Sequence, residues 1–215
     1  MFSTILTSLA LASTTLSQSD ASDISDALKT EIETMRAAYG VSGLAVSVVS
    51  GDDVILSEGF GSFENGPVAA QSQCGLYSAT KALTAFTLAS LIEDGDVNLN
   101  ARVGELLTDS PEGWRDIPLW RLYNHTSGLA MIVTQEAFSG IAEDPEAGNT
   151  AIYEIVRELP LDFEPGAHSR YQQSGYAVSE MIAEARLGQP WPALVEQHLT
   201  GPAQSNDTVY GQITD

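Results

Sequence analysis

The chain has 215 residues, 43% of them hydrophobic and 18% charged, an ordinary balance for a globular protein that argues against disorder. Nine Lys and Arg against 29 Asp and Glu leave a formal charge of −20, and such a surface repels nucleic acid and anionic lipid, so no nucleic-acid partner is expected. The single cysteine, Cys74, forbids an internal disulfide and leaves the redox compartment undecided.

The run from Phe2 to Leu16 is apolar and hydroxyl-rich without a charge. Small residues at Ser17, Ser19 and Ala21 follow, before the acidic stretch from Asp20 to Asp26. Residues 1–22 therefore read as a targeting leader, although no Lys or Arg precedes Lys29. About 15 apolar residues are too few for a membrane span. The expected destination is the periplasm or the medium, with no membrane association once the leader is cleaved.

Ile24, Leu28, Ile32, Met35 and Tyr39 recur at helical period and are stopped by Gly40, which predicts a helix of about four turns. Leu44 to Val49 and Val54 to Ser57 are β-branched runs separated by Ser50, Gly51, Asp52 and Asp53, the chemistry of a hairpin. Cys74 has no activating partner nearby in sequence and reads as a buried structural thiol. From Ala82 to Ile92 the chain is apolar almost all round, ending at Asp94 and Gly95, and this predicts a helix buried within the domain.

Ser78 and Lys81 stand three residues apart at the mouth of that helix. A serine hydroxyl becomes a good nucleophile when an amine one helical turn away can take its proton, and the positive end of the helix dipole favours an alkoxide there. The helix mouth is expected to open into a protected site. The tetrapeptide alone is weak, because two lysines give roughly 0.2 chance matches to this spacing. On the tetrapeptide alone, a serine N-cap beside a solvated lysine is the better explanation.

Further along, Gly140 to Asn149 reads as a loop on the rim of the site, and Thr150 to Leu159 as a short helix ended by Pro160. His125, Ser127 and Gly128 read as shapers of a turn. His168 and His198 show no ligand spacing, and no glycine-rich phosphate loop is present, so neither a metal nor a cofactor is expected.

Four segments in order, the hairpin GLAVSVVSGDDVILSEGFG, SATK with the helix ending IEDGDVNLN, HTSGL, and the PG, Tyr171 and SGY run, together resemble the serine β-lactamase-related family. That group includes class C β-lactamases, D-alanyl-D-alanine carboxypeptidases and related esterases. The resemblance covers about residues 40–210. It implies an α/β (α+β) fold of the β-lactamase and penicillin-binding-protein type, with an antiparallel sheet and a helical subdomain over about residues 78–200, in one domain over residues 23–215. It further implies that Ser78 attacks a carbonyl and becomes acylated, that Lys81 assists its deprotonation, and that Tyr171 is the catalytic tyrosine relaying the proton. The Ser78 backbone N–H would be one oxyanion donor.

Two departures accompany the resemblance. The family's Tyr-x-Asn is here Tyr171, Gln172, Gln173. Gln173, the expected substrate-binding amide, reaches one methylene further, which disfavours a β-lactam or peptide more than a simple ester. The family's third motif, Lys or His followed by a small residue and Gly on a later strand, has no counterpart, since His198, Leu199, Thr200 and Gly201 fall too early and at a helix end. The domain is therefore expected to be incomplete at its C-terminus, its last strands missing and a sheet edge and face left exposed. The implied function is a serine acyl hydrolase of esterase, D,D-peptidase or β-lactamase type, acting on a small acyl, peptide or β-lactam substrate. The alternative is a non-catalytic penicillin- or peptidoglycan-binding protein, or a truncated pseudoenzyme.

Overall fold

A computed structural model of the chain describes residues 18–131 and 148–210. Most of the expected leader and nearly all of the expected rim loop lie outside the described residues. The chain forms two compact units, one up to Gln73 and one from Cys74.

The first unit holds helix α1 (Gln18–Ala38) and strands β1 (Gly43–Ser50), β2 (Asp53–Phe63) and β3 (Gly66–Pro67). Helix α1 ends where Gly40 takes φ +66°, a conformation open to glycine because it lacks a Cβ. Its stripe is only partly covered: Leu28 and Ile32 are half-buried, while Ile24, Met35 and Tyr39 are exposed. Lys29 of α1 pairs with Glu58 of β2 at 2.5 Å, and Arg36 donates to Val41 O at 2.8 Å, fastening the helix end to the approach to β1. The strands are antiparallel in the order β1-β2-β3, with Ser50 facing Asp53 across the predicted turn and a bulge between Val48 and Val49. Strand β2 runs six residues beyond the predicted Ser57, because the ladder to β1 continues to the Gly43–Gly61 pair whatever the local composition. Val49, Val54 and Phe63 stand exposed on these strands.

The second unit is helical. A 3₁₀ turn, Tyr77–Ala79, enters α2 (Thr80–Glu93), followed by α3 (Val103–Leu106), α4 (Trp120–Tyr123), α5 (Gly148–Val156), α6 (Ser174–Leu187) and α7 (Trp191–Val195). Helix α6 stops at Gly188, φ +66°, whose N–H returns to Glu184 O. The core joins Leu88 and Leu91 of α2, Leu119 and Leu122 around α4, Tyr153 and Val156 of α5, Val178 and Ile182 of α6, and Trp191 and Leu194 of α7. Gly175 of α6 comes so close to α4 that a Cβ there would lie 2.5 Å from Leu122 O.

Two expectations are corrected. Helix α2 is buried on the side of Thr84, Thr87, Leu88 and Leu91, but Ala82, Ala85, Phe86 and Ala89 form an open apolar face, with Phe86 69% exposed. An apolar circumference permits burial all round, and the core of this unit meets only one side of it. Cys74 is exposed rather than buried. The chain around His198 does form a helix end, as expected, a π turn over Glu196–Thr200 in which His198 Nδ1 lies 3.1 Å from Ser90 Oγ and 3.6 Å from Asp94 Oδ2 at the end of α2. Among the described residues no helix is long and apolar enough to cross a membrane.

Candidate active site

The site is built on two loops laced together. His125 through Leu129 runs antiparallel to the chain before Tyr171: Asp162 N–H donates to Gly128 O at 2.8 Å, Gly166 N–H to Thr126 O at 2.8 Å, and Arg170 N–H to His125 O at 3.0 Å. Gly128 is required at its place, since it holds φ +79° and a Cβ would lie 2.1 Å from Phe163 O. Gln172, buried, donates from Nε2 to Ser127 Oγ at 3.3 Å and accepts Gly175 N–H at 2.7 Å, and Ser174 Oγ donates to Ala130 O at 2.6 Å. Ser127, expected to form a turn, is also a fully buried hydroxyl holding the second loop. These bonds fix the backbone on both sides of Tyr171.

Against this frame the four residues singled out by sequence come together. Tyr171 Oη donates to Ser78 Oγ at 2.6 Å. Lys81 Nζ donates to Gln173 Oε1 and lies 4.9 Å from the centre of the Tyr171 ring. The hydroxyl of Ser78 is thus bonded to the tyrosine, and the amine expected to touch it is turned toward Gln173. The amide of Gln173, expected to face substrate, is the acceptor for that amine. Ser78 lies in the 3₁₀ turn ahead of α2, and it is exposed; with Tyr171 46% exposed, the pair faces open solvent rather than the expected protected site.

The electrostatics favour ionisation of one phenol over the other. Hydrogen bonding to Lys81 first, then to Ser78, holds the Tyr171 phenol below its ordinary value. Burial, then the neighbouring Tyr171, pushes the Tyr176 phenol up. Burial, then the charge of Lys81, holds the His125 imidazole below its ordinary value and so favours the neutral ring.

Sequence reasoning quoted Tyr176 within the SGY run without giving it a role, and it passed over Glu180. Glu180, 7% exposed on α6, accepts Thr84 Oγ1–H at 3.1 Å, Asn149 Nδ2–H at 2.9 Å and Tyr210 Oη–H at 3.2 Å, and burial pushes its carboxyl up. Thr84 stands one turn beyond Lys81, so this carboxyl ties α2 to α5 and α6. The available signal was a charge inside the apolar run Ala177, Val178, Met181, Ile182. Among the described residues no cluster of His, Cys, Asp and Glu could hold a metal ion.

A serine on the turn into an apolar helix, a tyrosine bonded to its hydroxyl, and an antiparallel sheet in the same chain describe a protein of the β-lactamase and penicillin-binding-protein fold. The Beta-lactamase family model matches residues 28–213, and the chain belongs to that family. Penicillin-binding protein 4 of Amycolatopsis lactamdurans is 29% identical over 185 residues, which span 82% of this chain and 45% of the relative. The octameric penicillin-binding protein homologue from Pyrococcus abyssi superposes with a TM-score of 0.70 at 23% identity, over 84% of this chain and 43% of that one. The D-amino acid amidase from Ochrobactrum anthropi SV3, solved with D-phenylalanine, superposes with a TM-score of 0.72 at 23% identity, over 85% of this chain and 51% of that one. The chain spans less than half the length of the curated relative.

Proposed function

We propose that the chain carries the nucleophile half of a serine acyl hydrolase, working through an acyl-enzyme on Ser78. The observation that carries this is the 2.6 Å bond between Tyr171 Oη and Ser78 Oγ, with the Lys81 amine over the same phenol ring. With Tyr171 ionised, the bond reverses and the serine hydroxyl donates. Ser78 Oγ then attacks the carbonyl carbon as its proton passes to the phenolate, and the Ser78 backbone N–H donates to the developing oxyanion. Collapse breaks the bond to the leaving group, which takes the proton back from Tyr171, and leaves an ester on Ser78. Water, deprotonated by the same phenolate, hydrolyses that ester. Lys81 acts as a fixed positive charge that favours the phenolate, with Gln173 holding it.

Simple esters suit this site better than β-lactams or peptides, because Gln173 carries its amide one methylene further out than the family's asparagine and so displaces a contact to a substrate amide carbonyl. Export is part of the same reading, on the apolar run at the N-terminus. The test is covalent labelling with a fluorophosphonate and a fluorescent penicillin, read by intact mass. A single adduct that is absent from Ser78→Ala supports the hydrolase; no mass change after long incubation at saturating probe assigns the chain to the non-catalytic binders.

A further inference from the structure

We propose that Tyr176 is a positioning residue for this site, its ring forming with that of Tyr171 a two-sided aromatic cradle that keeps the Lys81 amine beside the phenol bonded to Ser78. The proposal rests on the hydrolase reading for its catalytic meaning and on geometry alone for the cradle. Lys81 Nζ lies 5.2 Å from the Tyr176 ring centre and 4.9 Å from that of Tyr171, both within the range in which a ring's negative face attracts a cation. The two rings are held at that opening by a third. His125 packs against Tyr171 with centroids 4.7 Å apart and against Tyr176 at 5.6 Å. Tyr176 is itself anchored: its hydroxyl donates to Tyr123 O at 3.2 Å, and its ring meets Tyr123 edge-on at 5.6 Å and 87°.

This arrangement gives the lysine a fixed address. A lysine side chain has four rotatable bonds and would otherwise sample many rotamers, at a cost in entropy each time it adopts the useful one. The groups facing the Lys81 amine are the Tyr171 phenol before α6, the Gln173 carbonyl at its N-cap, the Tyr176 ring within it and the His125 ring from the preceding loop. Of these Tyr176 makes no hydrogen bond to the reacting atoms; it acts through Lys81.

The sequence offers a direct readout, since Lys29 and Lys81 are the only lysines. Protein grown with lysine labelled with 13C at Cε gives two ε-methylene signals. The Lys81 signal of the wild type is expected upfield of that of Lys29 through the ring currents of two flanking aromatics. Tyr176→Leu should move it toward the Lys29 position, and Tyr176→Phe, which keeps the ring and loses only the hydroxyl, should leave it upfield. In parallel, fluorophosphonate labelling of Ser78 should slow about tenfold in Tyr176→Leu, the effect of losing one cation–π contact, and its rise with pH should move to higher pH as Tyr171 returns toward its ordinary value. Tyr176→Phe should restore both. Coincident lysine signals in the wild type would overturn the cradle without any variant having to fold. An unmoved Lys81 signal in Tyr176→Leu, or labelling with unchanged rate and pH profile, would overturn it equally. If the wild type takes no label at all, the hydrolase reading fails, while the lysine signals still decide the cradle.

Discussion

In the unit up to Gln73 the buried apolar side chain among the described residues is Leu56, whereas the unit from Cys74 packs Trp114, Tyr153, Trp191 and a network of aliphatic residues into one core. The first unit is held by ladder hydrogen bonds between β1 and β2 and by α1 across them, the second by apolar burial on several helices at once. The site residues belong entirely to the second. A hydroxyl, a phenol and an amine can be held to tenths of an ångström only where the backbone that carries them is itself fixed, and the bonds from Ser127, Gln172 and Ser174 supply that fixing on the surface of a packed core.

The contrast can be broken by experiment. Trp191, 1% exposed at the head of α7, should cost about 3–5 kcal/mol when cut to alanine, read as the fall in urea unfolding free energy. A loss under about 1 kcal/mol would mean that this core is not where stability resides. Tyr171→Phe, which leaves that core untouched, should slow fluorophosphonate labelling of Ser78 about 10²-fold or more at unchanged melting temperature. Labelling at the wild-type rate would return the role of base to Lys81.

Glu180 sharpens the comparison through pH. Its folded value is raised above 4.5, so the stability linked to it is fully present below 4.5 and is lost as pH rises through the higher folded value. Melting temperature should therefore fall with pH across that window, and the slope should be absent from Glu180→Gln. His125 works with the opposite sign: its folded value lies below 6.5, so its contribution is present above 6.5 and disappears as pH drops through the lower value. A wild-type slope that persists unchanged in Glu180→Gln would locate the titration elsewhere. In the sheet unit, Val49→Ala at a strand position 67% exposed should change unfolding free energy by no more than about 0.5 kcal/mol, and a larger loss would mean that this face is covered in solution.

The hairpin and the turn that carries Ser78 were legible in the sequence because both are local. Turn chemistry at Gly51 and Asp52 fixes two strands, and a three-residue spacing fixes Ser78 and Lys81 on one side of a turn. Which partner closes on the serine was not legible in that way. Tyr171 lies 93 residues from Ser78, and its bond to the hydroxyl depends on how two loops are stitched, a matter of backbone hydrogen bonds at His125, Thr126 and Gly128 that no side-chain pattern encodes. The family resemblance, rather than composition or spacing, is what brought Tyr171 into view. Burial was misjudged at α2 and Cys74 for one reason: an apolar side chain states that it can be covered and is silent about what covers it. Tyr176 stood in the SGY run but drew no role, because its contact with a cation from another helix exists only in three dimensions.

His125 adopts φ +64°, in the left-handed region where a residue with a Cβ meets its own carbonyl and is disfavoured by about 1–2 kcal/mol. Glycine would adopt that turn without strain, as it does three residues later. The ring retained at 125 is a wall for both tyrosines, so the loop carries a conformational tension that glycine would release only by taking that wall away. Ease of folding and order between the two phenols therefore pull this one position in opposite directions.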